Sequence, residues 1–288
     1  MDHVVIGSNG QIGRHLLRNL TLKALPAFGY SRSINDFDLT DPSTFVCLNN
    51  HPPGSYMYIT AGISSQRDVR DDPGLSYNTN VKGIIFLLDL CLEKSWIPIF
   101  LSSEAVFGIS SPSLASNGWK ISDSPCPLSL YGSFKSIIET YIRSRFDRFH
   151  IVRTGWIVNL MSNHFPCVIS LTLDEIKLNN ACLASDLFLN LTELDNFVET
   201  LIYLAQHDSY GVFHLVDGSL SRLELGFAIC KFFNSTYGSR LSLNPVISSD
   251  LSFPEPKMPY CYLEEGWPGS FGCKTDIIDL INYKLALI

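Results

Sequence analysis

The chain has 288 residues, 46% of them hydrophobic and only 17% charged, with a formal net charge of −7. That length and apolar content supply a sizeable core for one large domain or a domain with a lobe. The acidic balance and scattered Lys and Arg offer no basic field, so no nucleic acid partner is expected. No apolar run reaches about 18 residues and no charged-then-apolar leader precedes the first strand, so neither secretion nor a membrane span is expected. The eight cysteines (Cys47, Cys91, Cys126, Cys167, Cys182, Cys230, Cys261, Cys273) include no Cys-x-x-Cys and no metal-type His spacing. They read as reduced thiols of a cytoplasmic protein, with no metal site.

In chain order, the β-branched run His3-Val4-Val5-Ile6 predicts a strand. It leads into Gly7-Ser8-Asn9-Gly10-Gln11-Ile12-Gly13 and then into apolar positions Ile12, Leu16, Leu17 and Leu20 at helical spacing. Strand, glycine turn and helix in that order suit a dinucleotide. The glycines let the backbone turn tightly and approach a pyrophosphate, and the helix start supplies unpaired N–H groups. Gly7, Asn9, Gly10, Gln11, Ile12 and Gly13 are therefore candidate cofactor contacts. The spacing here is G-x-x-G-x-x-G rather than G-x-G-x-x-G.

Residues 25–30 predict a second strand ending at Ser31-Arg32-Ser33. An acidic residue there would grip a ribose 2′-hydroxyl, whereas Arg32 suits a 2′-phosphate, which favours NADP(H) over NAD(H). The plainer reading of Arg32 is a solvated surface residue. Asp38, with Leu39 beside it, falls near the expected adenine edge. Residues 56–60 predict a strand ending in Ala61-Gly62, where small residues let a cofactor lie close. Residues 77–93 predict a helix with Asn80 early in it, either bonding across to a neighbouring strand or exposed. Residues 98–101, 149–158 and 212–216 read as further strands, and 195–206 and 222–233 as helices before a Pro-rich, aromatic tail.

The alternation predicts an α/β fold, a Rossmann-type doubly wound parallel sheet with ligands at the carboxyl ends of its strands. The expected organisation is a dinucleotide-binding domain of residues 1–158 plus 193–218. A smaller C-terminal substrate-binding lobe would comprise 159–192 plus 219–288.

The richest stretch starts where the strand at 98–101 ends in Ser102, Ser103 and Glu104, and resumes at Tyr131-Gly132-Ser133-Phe134-Lys135. A Tyr and a Lys four apart at a helix start share one face, so the ammonium is expected to favour the ionised phenol. That is acid/base chemistry for a hydroxyl or a carbonyl.

Together these residues resemble the extended short-chain dehydrogenase/reductase family, and within it the dTDP-4-dehydrorhamnose reductases. The glycine loop is similar at Gly7, Gly10 and Gly13, the Ser/Thr at Ser103, and the Tyr-x-x-x-Lys at Tyr131 and Lys135. The reductase branch reads Ser-Thr-Asp-Tyr-Val-Phe where this chain has residues 102–107, and the acidic Glu104 after the hydroxyl leans towards that branch. Arg153-Thr154-Gly155-Trp156, Asn163-His164-Phe165 and residues 211–215 are similar to further family segments. The family's Gly-x-Pro-Thr is replaced by Leu189-Asn190-Leu191-Thr192.

The resemblance implies hydride transfer from a nicotinamide to a ketone on a nucleotide-linked sugar. Tyr131 would give the proton, Lys135 would bond the ribose and lower the tyrosine pKa, and Ser103 would hold the carbonyl oxygen. Glu104 is either a second acid of the site or a carboxylate bonded to a loop, and Arg153 is expected to pair with a carboxylate below the sheet. A homodimer is implied only by analogy. The alternatives are an epimerase or dehydratase that retains its NAD(P), and a non-catalytic dinucleotide-binding regulatory subunit.

Overall fold

The structure, a computed structural model, describes residues 1–108, 118–159, 167–178, 181–207, 209–253, 261–264 and 276–287. The Asn163-His164-Phe165 segment lies outside the described residues. In chain order the elements begin with β1 (His3–Ile6), α1 (Gln11–Leu22), β2 (Ala27–Tyr30), α2 (Arg32–Asn35), β3 (Tyr56–Ile59), α3 (Gln66–Asp71) and α4 (Pro73–Tyr77). They continue with α5 (Ile84–Lys94), β4 (Ile97–Leu101), α6 (Leu130–Arg145), β5 (His150–Arg153), β6 (Trp156–Val158), α7 (Val168–Lys177), β7 (Cys182–Ala184) and β8 (Phe188–Glu193). The last are α8 (Leu194–Gln206), β9 (Gly211–His214), β10 (Gly218–Ser221), α9 (Arg222–Tyr237), β11 (Asn244–Val246) and α10 (Ile277–Ala286).

The described residues group into two compact units. The first holds Met1–Val106, Pro125–Arg153 and Phe197–Phe213; the second holds Phe107–Ser124, Thr154–Asn196 and His214–Ile288. In the first, a six-stranded sheet runs in the order β2-β1-β3-β4-β5-β9. The pairs β1–β2, β1–β3, β3–β4 and β4–β5 are all parallel. Every residue of β1, β3, β4 and β5 is buried, so these strands show no alternation of buried and exposed positions; His3, His150 and Arg153 are buried polar residues at strand ends.

Helices flank the sheet. Ile84, Leu87, Leu88 and Cys91 of α5 and Ile138 and Ile142 of α6 pack with Val4, Ile6, Met57, Ile59, Phe100 and Ile151. Each fully buried aliphatic side chain contributes roughly 1.5–3 kcal/mol. The winding direction reverses between β1 and β3, so the carboxyl ends of these strands form the crevice where such sheets take ligands.

Two expectations about this unit are corrected. Residues 149–158 are two strands, with β5 in the six-stranded sheet and β6 in another. The Thr154 hydroxyl, just past β5, pairs at 2.9 Å with the Thr192 hydroxyl on β8, which commits the chain to the second sheet. The helix at 77–93 is α4 and α5 joined through a π-helical turn at Asn78–Gly83, a widening that often accompanies functional positions. Asn80 lies in that turn.

The second unit has a sheet ordered β10-β8-β6, antiparallel between β10 and β8 and parallel between β8 and β6, and a parallel β7–β11 pair. Its core joins Ile169, Leu173 and Ile176 of α7, Leu225 and Ile229 of α9, and Leu280, Ile281 and Leu285 of α10. A capping box starts α9, where Ser221 Oγ accepts from Glu224 N and the Glu224 carboxylate accepts from Ser221 N. Among the described residues, no helix is long and apolar enough to cross a membrane.

Candidate active site

The glycine turn runs from β1 into α1. Gly7 has φ of 91°, a conformation costly for any other residue. A Cβ on Gly7 would lie 2.6 Å from Ala61 N, and one on Gly13 would lie 2.3 Å from Gly7 O. The loops after β1 and β3 are therefore pressed together, a contact strengthened by Thr60 Oγ1 donating to Ile6 O at 2.7 Å. Gly10 is the N-cap of α1 and brings no side chain to its first N–H groups. Beside it, the buried Ser8 Oγ and Gln11 Nε2 have no hydrogen-bond partner among the described residues. Buried polar atoms are normally satisfied; these two, the uncapped helix start and the close-packed glycines fit the phosphates of a dinucleotide.

The other expected cofactor contacts divide into two groups. Asn9 Nδ2 donates to Ser33 Oγ, which ties the glycine turn to α2, and Arg14 Nη2 of α1 donates to Asn9 O at 3.2 Å. Arg32 is the first residue of α2 and is exposed. The Asp38 carboxyl is held below its usual range, first by the main-chain N–H of Thr40, then by the Thr40 hydroxyl and the nearby Arg32 charge, against a partial burial penalty. Leu39 offers a cofactor its main chain only, because its side chain is packed into the core. Asn80 resolves towards bonding across: its Oδ1 accepts from Ile63 N and its Nδ2 donates to Ile63 O, both at 2.8 Å. Its amide shapes the Ala61-Gly62-Ile63 loop, and Gly62 (φ 150°) could not carry a Cβ without approaching Asn80 Oδ1 to 3.0 Å.

The residues expected to react lie where β4 meets α6. The helix starts at Ser129, whose Oγ accepts from Gly132 N at 3.1 Å. At Gly132 a Cβ would lie 1.9 Å from Ala105 O, so only glycine lets α6 seat against the turn that carries Ser103 and Glu104. The Ser103 hydroxyl accepts from Ala105 N at 3.2 Å and lies close enough to the Tyr131 phenol to lower its pKa. Lys135 Nζ donates to Leu101 O at 2.7 Å and stands 4.7 Å from the centre of the Phe100 ring and 5.7 Å from that of Tyr131. Ser103, Tyr131 and Lys135, far apart in sequence, thus form one cluster.

Its electrostatics correct one expectation. Burial pushes the Tyr131 phenol up to about 12; the Ser103 hydroxyl lowers it and the Glu104 charge raises it. Burial pulls Lys135 down to about 8, while Glu139 raises it. Desolvation outweighs the attraction expected between ammonium and phenolate. Tyr131 is therefore a protonated phenol at neutral pH, and Glu104 is near enough to help keep it so.

Beneath this cluster lies a fully buried ion pair. Arg153 Nη2 and Nε donate to Glu139 Oε2 and Oε1 at 2.6 and 2.9 Å, and Ser102 Oγ donates to Glu139 Oε1 at 2.5 Å. The sequence reading anticipated a carboxylate for Arg153 but missed that it is Glu139, although an acid four residues after Lys135 on one helix face was visible in the sequence. It also missed Ser8, Thr60 and Gln66. The buried Gln66 Oε1 has no hydrogen-bond partner among the described residues, and Gln66 opens α3, whose Val69 packs in one small cluster with Tyr131.

A family model described as the RmlD substrate binding domain matches residues 1–265. No curated protein sequence matches at a significant level. Among solved structures, a dTDP-4-dehydrorhamnose reductase from Clostridium acetobutylicum superposes with a TM-score of 0.83 at 18% identity, covering 100% of this chain and 99% of its own. The dTDP-4-dehydrorhamnose reductase from Bacillus anthracis in complex with NADP gives a TM-score of 0.74 at 18% identity, covering 93% and 96%. The UDP-glucose 4-epimerase from Thermus thermophilus complexed with NAD gives 0.75 at 16% identity, covering 99% and 98%. At these identities the superpositions establish the fold alone.

Proposed function

Because the chain belongs to the RmlD substrate binding domain family, we propose that it is a nicotinamide-dependent reductase of a 4-keto sugar carried on a nucleotide. The observation that carries this reading is the Ser103–Tyr131–Lys135 cluster with its phenol held protonated. Reduction of a ketone needs a proton donor at the developing alkoxide, and a phenol raised to about 12 by burial holds its proton until an oxyanion arrives.

When bound, the nicotinamide supplies the hydride. Ser103 donates to the carbonyl oxygen and stabilises its growing negative charge. Tyr131 passes its proton to the same oxygen. Lys135 would hold the nicotinamide ribose and offset the charge left on the phenol. Gly7, Gly10, Gln11, Ile12 and Gly13 with Ser8 would cradle the pyrophosphate, while Ala61 and Gly62, shaped by Asn80, would line the cofactor. Arg32 beside Asn9 and Ser33 supports NADP(H), with NAD(H) the lesser fit, and Asp38 and the main chain of Leu39 would border the adenine. The substrate-binding lobe would comprise residues 159–192 and 219–288, which fall within the second unit.

The test mixes purified protein with NADPH and a panel of nucleotide 4-keto sugars and follows the nicotinamide absorbance. Stoichiometric oxidation is expected with at least one sugar. Tyr131→Phe should lose roughly 10²- to 10⁴-fold in turnover while still binding NADPH. NADPH binding without oxidation on any sugar would sink the reductase reading and favour a retained-cofactor epimerase, a dehydratase or a regulatory subunit.

A further inference from the structure

Along α6, Tyr131, Lys135 and Glu139 follow one another at four-residue spacing, so their side chains share one face of the helix. Glu139 is 1% exposed and Arg153 0%. The carboxylate is held from three sides, by Arg153 Nη2 at 2.6 Å, Arg153 Nε at 2.9 Å and Ser102 Oγ at 2.5 Å. Ser102 directly precedes Ser103, and Leu101, whose carbonyl receives Lys135 Nζ, directly precedes Ser102. One segment at the end of β4 therefore bonds Lys135 through Leu101 and Glu139 through Ser102, and its next residue, Ser103, lowers the Tyr131 pKa.

A structural explanation alone is weak. Replacing a buried ion pair by apolar residues is often neutral or stabilising, so such a pair is poor evidence for stability. This one has a nearby group to act on. Burial pulls Lys135 down, and Glu139 is the charge that opposes it.

We propose that Glu139, one helical turn beyond Lys135 on the same face of α6 and fixed there by Arg153 and Ser102, is a positioning residue for the Lys135 ammonium. The proposal rests on the reading of Ser103, Tyr131 and Lys135 as the reactive cluster. Arg153 has two effects: it holds the carboxylate in place, and its own positive charge limits how far the carboxylate can favour the ammonium.

Among the described residues, other charged groups on neighbouring elements make contacts of their own. Glu104 lies in the turn after β4 and acts on Tyr131. In the π-helical turn, Lys82 stands over the Tyr77 ring. On α3, Arg67 and Arg70 pair with Asp71, and Asp68 is exposed. On α5, Asp89 meets Tyr141 and Arg145, and Glu93 meets Lys94.

The test titrates Lys135 in the protein alone, with no cofactor or sugar, by NMR of lysine labelled with ¹³C at Cε. The Lys135 signal is assigned by its loss in Lys135→Arg. The wild-type midpoint is expected near 8. Glu139→Gln removes the attraction and leaves the Arg153 charge, so its midpoint should fall by roughly tenfold or more in proton affinity. Arg153→Met removes the repulsion and should not lower it. A midpoint unmoved or raised in Glu139→Gln, or lowered in Arg153→Met, overturns the proposal. If Glu139→Gln fails to fold, Glu139→Asp decides, because it draws the carboxylate back by one methylene while the Arg153 charge stays: a lowered Lys135 midpoint supports the role, and an unchanged or raised one refutes it. A failure of the sugar-reduction assay would leave this titration readable, so the two readings fail separately.

Discussion

The two units bury polar residues for different ends. In the first, Ser102, Glu139 and Arg153 lie directly under Ser103, Tyr131 and Lys135, and Asn80 braces the loop at Ala61-Gly62. In the second, buried polar groups act as ties between distant segments. Asn190 on β8 accepts from Leu263 N at 2.9 Å and from Ser219 Oγ at 2.7 Å, and donates to Cys261 O at 3.3 Å. Asp217 Oδ2 receives Glu193 N at 2.6 Å. The first unit sets one group of its buried polar side chains, Ser102, Glu139 and Arg153, beside the proposed reactive groups, and the second uses Asn190 and Asp217 to tie distant segments together. A polar side chain at a core position therefore means different things in the two units, and mutation can separate the meanings.

The largest contrast is expected at Ser103. Ser103→Ala should cost roughly 10²–10³ in turnover, as loss of an oxyanion donor does, with a melting temperature close to wild type. A variant that melted much earlier and kept its turnover would make Ser103 a tie, as in the second unit.

Next is a pH effect confined to the first unit. Burial lowers His150 to about 4, main-chain groups at Ser209 and Leu204 opposing this only in part. The fold therefore requires the neutral ring. Above the unfolded value of 6.5 the residue adds no pH dependence. As pH falls from 6.5 towards 4, the unfolded chain takes up a proton that the folded chain refuses, and stability should drop by up to about 3 kcal/mol, levelling below 4. Denaturant titrations of wild type and His150→Phe at pH 7 and pH 5 should show the variant losing less. Equal losses would remove His150 as the cause.

Asn190→Leu comes third. It orphans a buried N–H and a carbonyl and should cost about 1–3 kcal/mol. Amide exchange should quicken at Leu263 while the six-stranded sheet stays protected, and uniform loss of protection would show that the ties serve the whole chain. Smallest is Arg222→Ala, which breaks the partly exposed 2.6 Å pair with Glu175. A thermal melt should register roughly 0.2–1 kcal/mol, shrinking further in high salt.

The sequence by itself determined the strand, glycine turn and helix of β1 and α1, the parallel α/β class, and the pairing of Tyr131 with Lys135. Each rests on local rules: continuous apolar runs for strands buried on both faces, glycines where the backbone must turn or approach, and a four-residue spacing on one helix face. The second unit was far less legible. The region 161–190 carried no clear period, although Val168, Ile169, Thr172, Leu173 and Ile176 lie on the buried face of α7. Its strands β6 and β7 are three residues each, too short for any alternation to emerge.

Only the tertiary structure decided that residues 149–158 split at Thr154, because the deciding bond goes to Thr192. Only it supplied Glu139 as the partner of Arg153, and Gly132 as the residue that seats α6 on Ala105. It also reversed the expected direction for Tyr131. Spacing along a helix reports which charges are near, but a pKa depends equally on how much water is excluded, and that is set by every element packed around the phenol.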